Sequence, residues 1–407
     1  MDQPRTVNAE HLVSSYERLA EWCRRHDYAG YDPFDALNSR IFQATPLRRS
    51  RAARLVWTQV FKRAPLNLRP LALVPAGKNP KGMALFALAA LARFRAHRTN
   101  EAAKEARARL AELLAAQLTG WSGAAWGYDF DWQGRAFYAP RGTPAVVPTA
   151  FAARAMLEAA CDLHDDAYLR AARSACDFVI KDLRRSEESE AEICFSYTPL
   201  DQTRVFNASL LAAETLGGVG ALTGEADLCE LARRAAHYVI RRQRADGSWA
   251  YGADSYQSWA DNFHTAFVLV SLSRILKACG ERDAESSAAL GRGYRFWRER
   301  FFLADGWPKY YHDRLYPADT HAAAAGVIAA LELSWIDAEA PRLAERIALW
   351  AARHLQDRRG FFYYQKRRFY TVRTPYMRWS QAWMLYALAR LLEASGRWLA
   401  RGEDFNG

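Results

Sequence analysis

The chain has 407 residues, half of them apolar and 13% aromatic, and a formal net charge of +11. That is apolar mass enough for a large core, and no uncharged run approaches the ~20 residues a membrane-spanning helix needs. The opening MDQPRTVNAEHLVSS has no apolar core behind a basic start, so a secretory leader is not expected and the cytoplasm is the default compartment. Six cysteines without CxxC spacing predict reduced thiols, not disulfides or a metal knuckle. The basic residues fall near helix ends and in turns, as in LRRSRAAR at 47–54, with no nucleic-acid-binding motif beside them, so a solvated basic face is expected and no nucleic-acid partner.

Apolar spacing predicts helices over residues 8–26 and 48–62, joined by the turn-rich YAGYDPFDALN. Residues 1–78 therefore form an expected N-terminal helical extension that packs on or closes the remainder of the chain. From 79 to 407 one unit repeats six times: an amphipathic helix, an aromatic turn, and a more apolar helix with polar residues in its first turn. Aligning the second helices on Thr149, Asn207, His264, His321 and Gln381 gives spacings of 58, 57, 57 and 60 residues, with the same element around Lys81. A period of ~50 to 60 built from paired helices means neighbouring repeats bury faces that no single repeat can bury.

The charged helices are expected at 100–118, 165–183, 225–243, 283–302 and 339–356. The apolar ones are expected at 81–94, 149–163, 207–222, 263–279, 321–334 and 378–395, packed on most sides as the inner layer of a ring. Between them run connectors at 120–147, 184–204, 244–262, 303–320 and 357–376, long for helix-helix links and rich in aromatics. Each enters the N-terminus of an inner helix, so all should gather at one end and aim their polar residues into one cavity.

The turns QRADGSW at 243–249 and DGW at 305–307 followed by KYY resemble the hairpin turns of the (α/α)6 toroids, a superfamily of six-hairpin glycosidases, uronate-acting lyases and sugar epimerases, with related rings in terpene cyclases and protein prenyltransferases. The strings WGYDFDWQGRAFYAPRGTP, FSYTPLDQTRVFNASLL, WADNFHTAFVL and PYMRWSQAWMLYAL resemble a group of bacterial proteins encoded beside polysaccharide-biosynthesis genes. The resemblance implies an all-α (α/α)6 toroid of six helical hairpins and a glycan context, with polysaccharide-assembly enzymes as possible partners. No DxDD or DDxxD cluster of a terpene cyclase is present. Phe263-His264-Thr265 resembles a prenyltransferase zinc element, but Asp227 and Cys229 lie on an outer helix away from the mouth, so no metal and no cofactor is expected.

Asp261 and His264 fall on one face at the start of an inner helix, and Asp319 and His321 repeat the pair one hairpin later. Each Asp also suits a helix N-cap, whereas two Asp/His pairs at one mouth suit proton transfer. In GYDFDWQ, an extended backbone would turn Asp129 and Asp131 to one side and Tyr128, Phe130 and Trp132 to the other, giving paired carboxylates for glycoside cleavage or a turn-stabilising pair. Tyr138, Tyr311, Tyr376 and Trp379 extend the aromatic lining. Asn207 and Gln381 head inner helices, and Arg141, Arg204 and Arg378 suit a carboxylate or phosphate. The expected substrate is an acidic saccharide or saccharide intermediate of surface-polysaccharide assembly. Hydrolysis by two carboxylates from Asp129, Asp131, Asp261 and Asp319 is the first reading. A uronate lyase or C5-epimerase using His264 or His321 with a Tyr is the second, and a non-catalytic glycan- or lipid-intermediate-binding module the third.

Overall fold

The computed structural model describes residues 3–134, 136–280 and 284–398, with side chains from residue 7 onward. The N-terminal part holds α1 (Gln3–Arg25), the single-turn α2 (Arg40–Gln43) and α3 (Arg51–Arg63). Inner helices then alternate with outer ones: α4 (Pro80–His97), α5 (Asn100–Ala115), α6 (Val146–Leu163), α7 (Asp166–Lys181), α8 (Phe206–Thr223), α9 (Ala226–Ile240), α10 (Asn262–Ala278), α11 (Ala284–Phe301), α12 (Thr320–Glu332) and α13 (Ala340–Leu355). A π-helical turn, Met377–Ala382, leads into the last inner helix, α14 (Trp383–Ala394). The expected start of the fourth charged helix, at Asp283, lies outside the described residues.

The inner helices α4, α6, α8, α10, α12 and α14 touch in that order, and α14 touches α4 again, so the ring closes. The chain is an all-α (α/α)6 toroid. The inner helices are apolar almost all round, α12 being THAAAAGVIAALE, because both the outer layer and the bore pack against them. Outer helices such as α13 bury only the stripe that includes Leu343, Ile347, Trp350 and Leu355.

The turns that follow the outer helices are built alike. Gln243 donates to the Gly247 carbonyl and to Ala289 of the next outer helix, and Gln356 donates to the Gly360 carbonyl and to Ser15 of α1. Gly247, Gly306 and Gly360 adopt positive φ, and a Cβ on them would meet backbone of Arg292, Arg346 and Arg18 respectively. Of the segment expected as an N-terminal extension, α1 thus meets the turn after α13 as α11 meets the turn after α9, and it packs on both α13 and α14 in the sixth outer position. Residues 26–79 leave α1 and cross the end of the ring where the inner helices begin.

The connectors carry short strands. β1 (Trp132–Gln133) pairs with β2 (Tyr138–Ala139), β3 (Arg185–Glu188) with β4 (Ile193–Phe195), and β5 (Ala318–Asp319) with β6 (Gln365–Lys366), which pairs on to β7 (Thr371–Val372). The three-stranded sheet joins connectors of neighbouring repeats into one wall.

Nearer the C-terminal ends of the inner helices, ion pairs run from stave to stave. Arg95 of α4 holds Glu158 at 3.0 Å and Asp162 at 2.7 Å on α6, and Glu393 at 2.5 Å on α14. Arg154 of α6 pairs with Glu214 of α8, which also holds Arg274 of α10 at 2.9 Å; Arg274 reaches on to Glu332 of α12 at 3.1 Å. Burial alone would raise the Glu214 carboxyl, but Arg154 and Arg274 hold it down to about 2.

Candidate active site

At the opposite end, the inner-helix N-termini and the connectors enclose a cavity of about 650 Å³, within the range that holds small ligands. Tyr128, Phe130, Trp132, Tyr197, Tyr251, Trp259, Tyr310 and Trp379 supply aromatic walls, and α3 adds Leu55, Gln59 and Lys62 from across the mouth. Flat aromatic faces interrupted by a few polar groups suit a sugar ring, which is apolar on its faces and polar at its edge.

His264 and His321 both line this cavity. Asp261 is the N-cap of α10: one oxygen accepts the His264 backbone N–H at 3.0 Å, while the other accepts from His264 Nδ1 at 2.7 Å and from Trp259 Nε1 at 3.2 Å. A His at the third helical position brings its ring back over the cap residue, which is why the spacing of three makes a side-chain dyad. Donation from Nδ1 leaves Nε2 as the basic nitrogen.

Asp319 and His321, spaced by two, form no such dyad. Asp319 caps α12 through the backbone N–H groups of His321 and Ala322 and accepts from Gln365 at 2.6 Å and Trp379 at 3.3 Å. It is fully buried off the cavity, and burial pushes its carboxyl up to about 6 against those hydrogen bonds. The His321 ring turns into the bore between Phe263 and Trp383, with centroids 4.6 and 4.7 Å away and Trp379 edge-on at 4.3 Å. Neither ring nitrogen has a hydrogen-bond partner. Burial, with Lys81 and Arg378 nearby, holds its basicity well below the ordinary histidine value, so it is a neutral imidazole. Phe263 touches both histidines, at 4.0 Å from His264 and 4.6 Å from His321, so the two imidazoles share one wall.

The alternation of GYDFDWQ is present, with its faces assigned opposite to the expectation for hydrolysis. Tyr128, Phe130 and Trp132 face the cavity, whereas Asp129 and Asp131 face residues 38–79. Asp129 accepts from Asn79 at 2.6 Å, and burial raises its carboxyl. Asp131 accepts from the Arg141 backbone at 2.8 Å, from Gln43 at 3.3 Å, and from the Tyr138 hydroxyl. Packing the aromatic side inward buries more apolar area than packing the carboxylates there, and the acids are satisfied by the crossing segment 26–79, the strap, together with Arg141 and Tyr138.

The three arginines offered for a substrate anion are not available to one. Arg141 is exposed outside the cavity, and Arg204 pairs with Asp254 at 2.6 Å and Glu187 at 3.3 Å. Arg378 lines the cavity but grips Asp32 in a fork of 2.6 and 2.8 Å. Asn207 and Tyr311 line the cavity, and the Asn207 carbonyl oxygen has no partner. Tyr138 carries the Arg54 guanidinium over its ring, Tyr376 accepts from Arg69 at 2.8 Å, and Gln381 bonds the Phe362 backbone in both directions; all three lie outside the cavity.

Two residues that sequence reasoning passed over stand out. Lys81, buried in the first turn of α4, lines the cavity with its ammonium 4.6 Å from the Phe151 ring, 5.1 Å from Phe267 and 5.2 Å from Trp383. Burial, with Arg378 nearby, holds it well below the ordinary lysine value. Lys62 of α3 stands over Phe34 at 4.2 Å and is pulled down to about 8 by burial. A signal existed: in NPKGMALFALAALAR, Lys81 is the one charge before Arg93 in an otherwise apolar run.

No protein-family model and no curated protein matches the chain. Solved structures do. The cellobiose 2-epimerase of Bacillus thermoamylovorans superposes with a TM-score of 0.62 at 12% identity, over 78% of this chain and 88% of that one. An unsaturated glucuronyl hydrolase from Bacillus sp. GL1 gives 0.61 at 14%, over 97% and 100%, and a D-mannose isomerase 0.57 at 13%, over 78% and 87%. At such identities the likeness is one of fold.

Proposed function

We propose that the protein is a carbohydrate-active enzyme that moves a proton at a sugar carbon next to a carbonyl or carboxyl group, as an epimerase, isomerase or lyase does. One observation carries this reading: two histidines, one oriented by a carboxylate and one neutral and unpartnered, share a wall of a sugar-sized aromatic cavity. The His264 Nε2 lone pair removes the proton, Asp261 stabilises the imidazolium that forms, and neutral His321 holds an N–H to donate to the developing oxyanion or to carbon. Return of the proton by the same group to the neighbouring carbon of the enediol gives isomerisation, and return to the same carbon from the opposite face gives epimerisation.

Cleavage by two carboxylates is the weaker reading. Asp261 is the only carboxylate among the described cavity residues, and it is committed to His264. Sugar-active enzymes of both kinds share the fold: a 2-epimerase, a mannose isomerase and a glucuronyl hydrolase. A role in surface-polysaccharide assembly in the cytoplasm, beside other assembly enzymes, belongs to the same proposal and rests on the sequence resemblance alone.

The test is to incubate the protein in D₂O with reducing hexoses, reducing disaccharides and oligouronides and to follow carbon-bound protons by NMR. Loss of one C–H signal is expected, without chain cleavage for an epimerase or isomerase, and with chain cleavage and ultraviolet absorbance from an unsaturated uronate for a lyase. Release of a free sugar with every C–H signal intact overturns the proposal in favour of hydrolysis.

A further inference from the structure

The cations of the cavity are unequally occupied. Of the six that line it, Arg378 is held by Asp32 and Arg314 by Asp313, Arg367 donates to Gln365, and Arg63 is exposed to solvent at the rim. Lys62 and Lys81 have no carboxylate within ion-pair distance among the described residues. No Asp or Glu occurs between Asp35 and Glu101, so the stretch that supplies both lysines brings no acid with it. The acids nearby are already engaged: Asp32 by Arg378, Asp261 by His264, Asp319 by its cap and Gln365, Asp129 by Asn79. Lys81 is buried and Lys62 half-buried, and an ammonium so placed without an ion-pair partner costs stability unless something negative completes it.

The two lysines are also placed with respect to the chemistry. Trp379 touches His321 and lies 5.8 Å from the Lys62 ammonium, and Trp383 touches His321 and lies 5.2 Å from the Lys81 ammonium. Each lysine is therefore one aromatic ring away from the neutral histidine.

We infer that Lys62 and Lys81, which line one cavity, bind carboxylates of an acidic saccharide, so that the substrate is a uronic-acid sugar or oligosaccharide whose reacting C–H is next to a carboxylate. This rests on the proton-transfer reading only for the position of the reacting carbon. A carboxylate that loses its α-proton passes through a doubly negative enediolate, and fixed cations in a dry site are what lower that barrier. Ammonium groups act as compact point charges suited to this, whereas Arg378, the buried arginine among those lining the cavity, already has its fork on Asp32. Asn207, with its free carbonyl oxygen, is left to accept from a sugar hydroxyl.

Calorimetric titration tests it with a tetrauronide against cellotetraose, and with glucose 6-phosphate as a third probe, on the wild type and on Lys62→Met and Lys81→Met. Circular dichroism melting checks that each variant folds. The tetrauronide should bind at least about tenfold tighter than cellotetraose, lose that preference in either variant, and weaken as salt is raised. Equal affinity for charged and neutral chains, no uronide binding, or a preference that survives both substitutions overturns the inference, as does a preference confined to the phosphate. Proton exchange in D₂O is scored separately. Lysine-dependent uronide binding without exchange removes the mechanism and keeps the site, and exchange in a neutral sugar with no uronide binding does the reverse.

Discussion

The six inner helices carry charge at both ends, and the two ends treat it in opposite ways. Toward the C-termini, Arg95, Arg154 and Arg274 each have carboxylates from a neighbouring stave, and Glu214 is held down to about 2. At the N-termini, His321 has two bare nitrogens, Lys81 has only aromatic faces, and Asp319 is pushed up to about 6. The helices are the same and both ends are buried, yet one end uses its charges to hold the ring together while the other leaves them for something that is not protein. Groups left unsatisfied in this way cluster where a ligand completes them.

The sharpest way to break this contrast is at the mouth. His264→Asn is expected to lower turnover ~10²- to 10⁴-fold while the protein melts as the wild type does, because a general base acts mainly in the transition state. A variant that melts early and keeps its activity per folded molecule would instead place His264 with the structural residues. At the other end the pattern reverses. Glu214→Gln strands Arg154 and leaves Arg274 with Glu332 alone, so stability should fall by ~3 to 5 kcal/mol with kcat of the folded fraction unchanged, as read by denaturant titration beside a rate assay.

Acidity offers a third comparison, with opposite signs at the two ends. Folded Asp319 keeps its proton up to about pH 6, whereas the unfolded chain releases it near 4, so its contribution is present below pH 4 and is lost as pH rises through 6. The difference is about 3 kcal/mol, and Asp319→Asn, which keeps the cap, should flatten the stability profile there. Glu214 behaves oppositely: its contribution is present above pH 4.5 and is lost as pH falls toward 2. Urea midpoints at half-unit pH steps separate the two limbs, and a wild-type profile flat from 4 to 6 would rule Asp319 out as the cause. The smallest effect expected is a gain: Lys81→Met removes an unpaired buried charge and should stabilise by ~1 kcal/mol in a melting experiment.

The ring was legible in the sequence because its cause is periodic: a spacing near 57 residues and apolar second helices leave few other ways to bury the surface. The end that holds the cavity was legible too, since Asn207, His264 and His321 each fall in the first turn of an otherwise apolar helix. Partnerships were not. Asp32 reaches Arg378 across 346 positions, and nothing local to PYMRWSQ says that its arginine is occupied. The alternation in GYDFDWQ fixed two faces without saying which one looked inward; that depended on Asn38, Gln43 and Asn79, which come from the strap. Spacing decided the histidines: three places made a dyad of Asp261 and His264, and two places could not.

The seam of the ring has a consequence in time. α1 rests on α13 and α14, with Arg18 and Gln356, 338 positions apart, bonded at 2.9 Å. At ~5–20 residues per second, synthesis puts roughly 20 to 70 s between the emergence of α1 and that of its last partner. Over that interval Leu12, Leu19 and Cys23, fully buried in the finished ring, have no final surface to meet. α1 leaves the ribosome before the ring helices α4 to α14 and is among the last to be seated, and a ribosome-bound chain stalled before the π-helical turn should show α1 open to limited proteolysis.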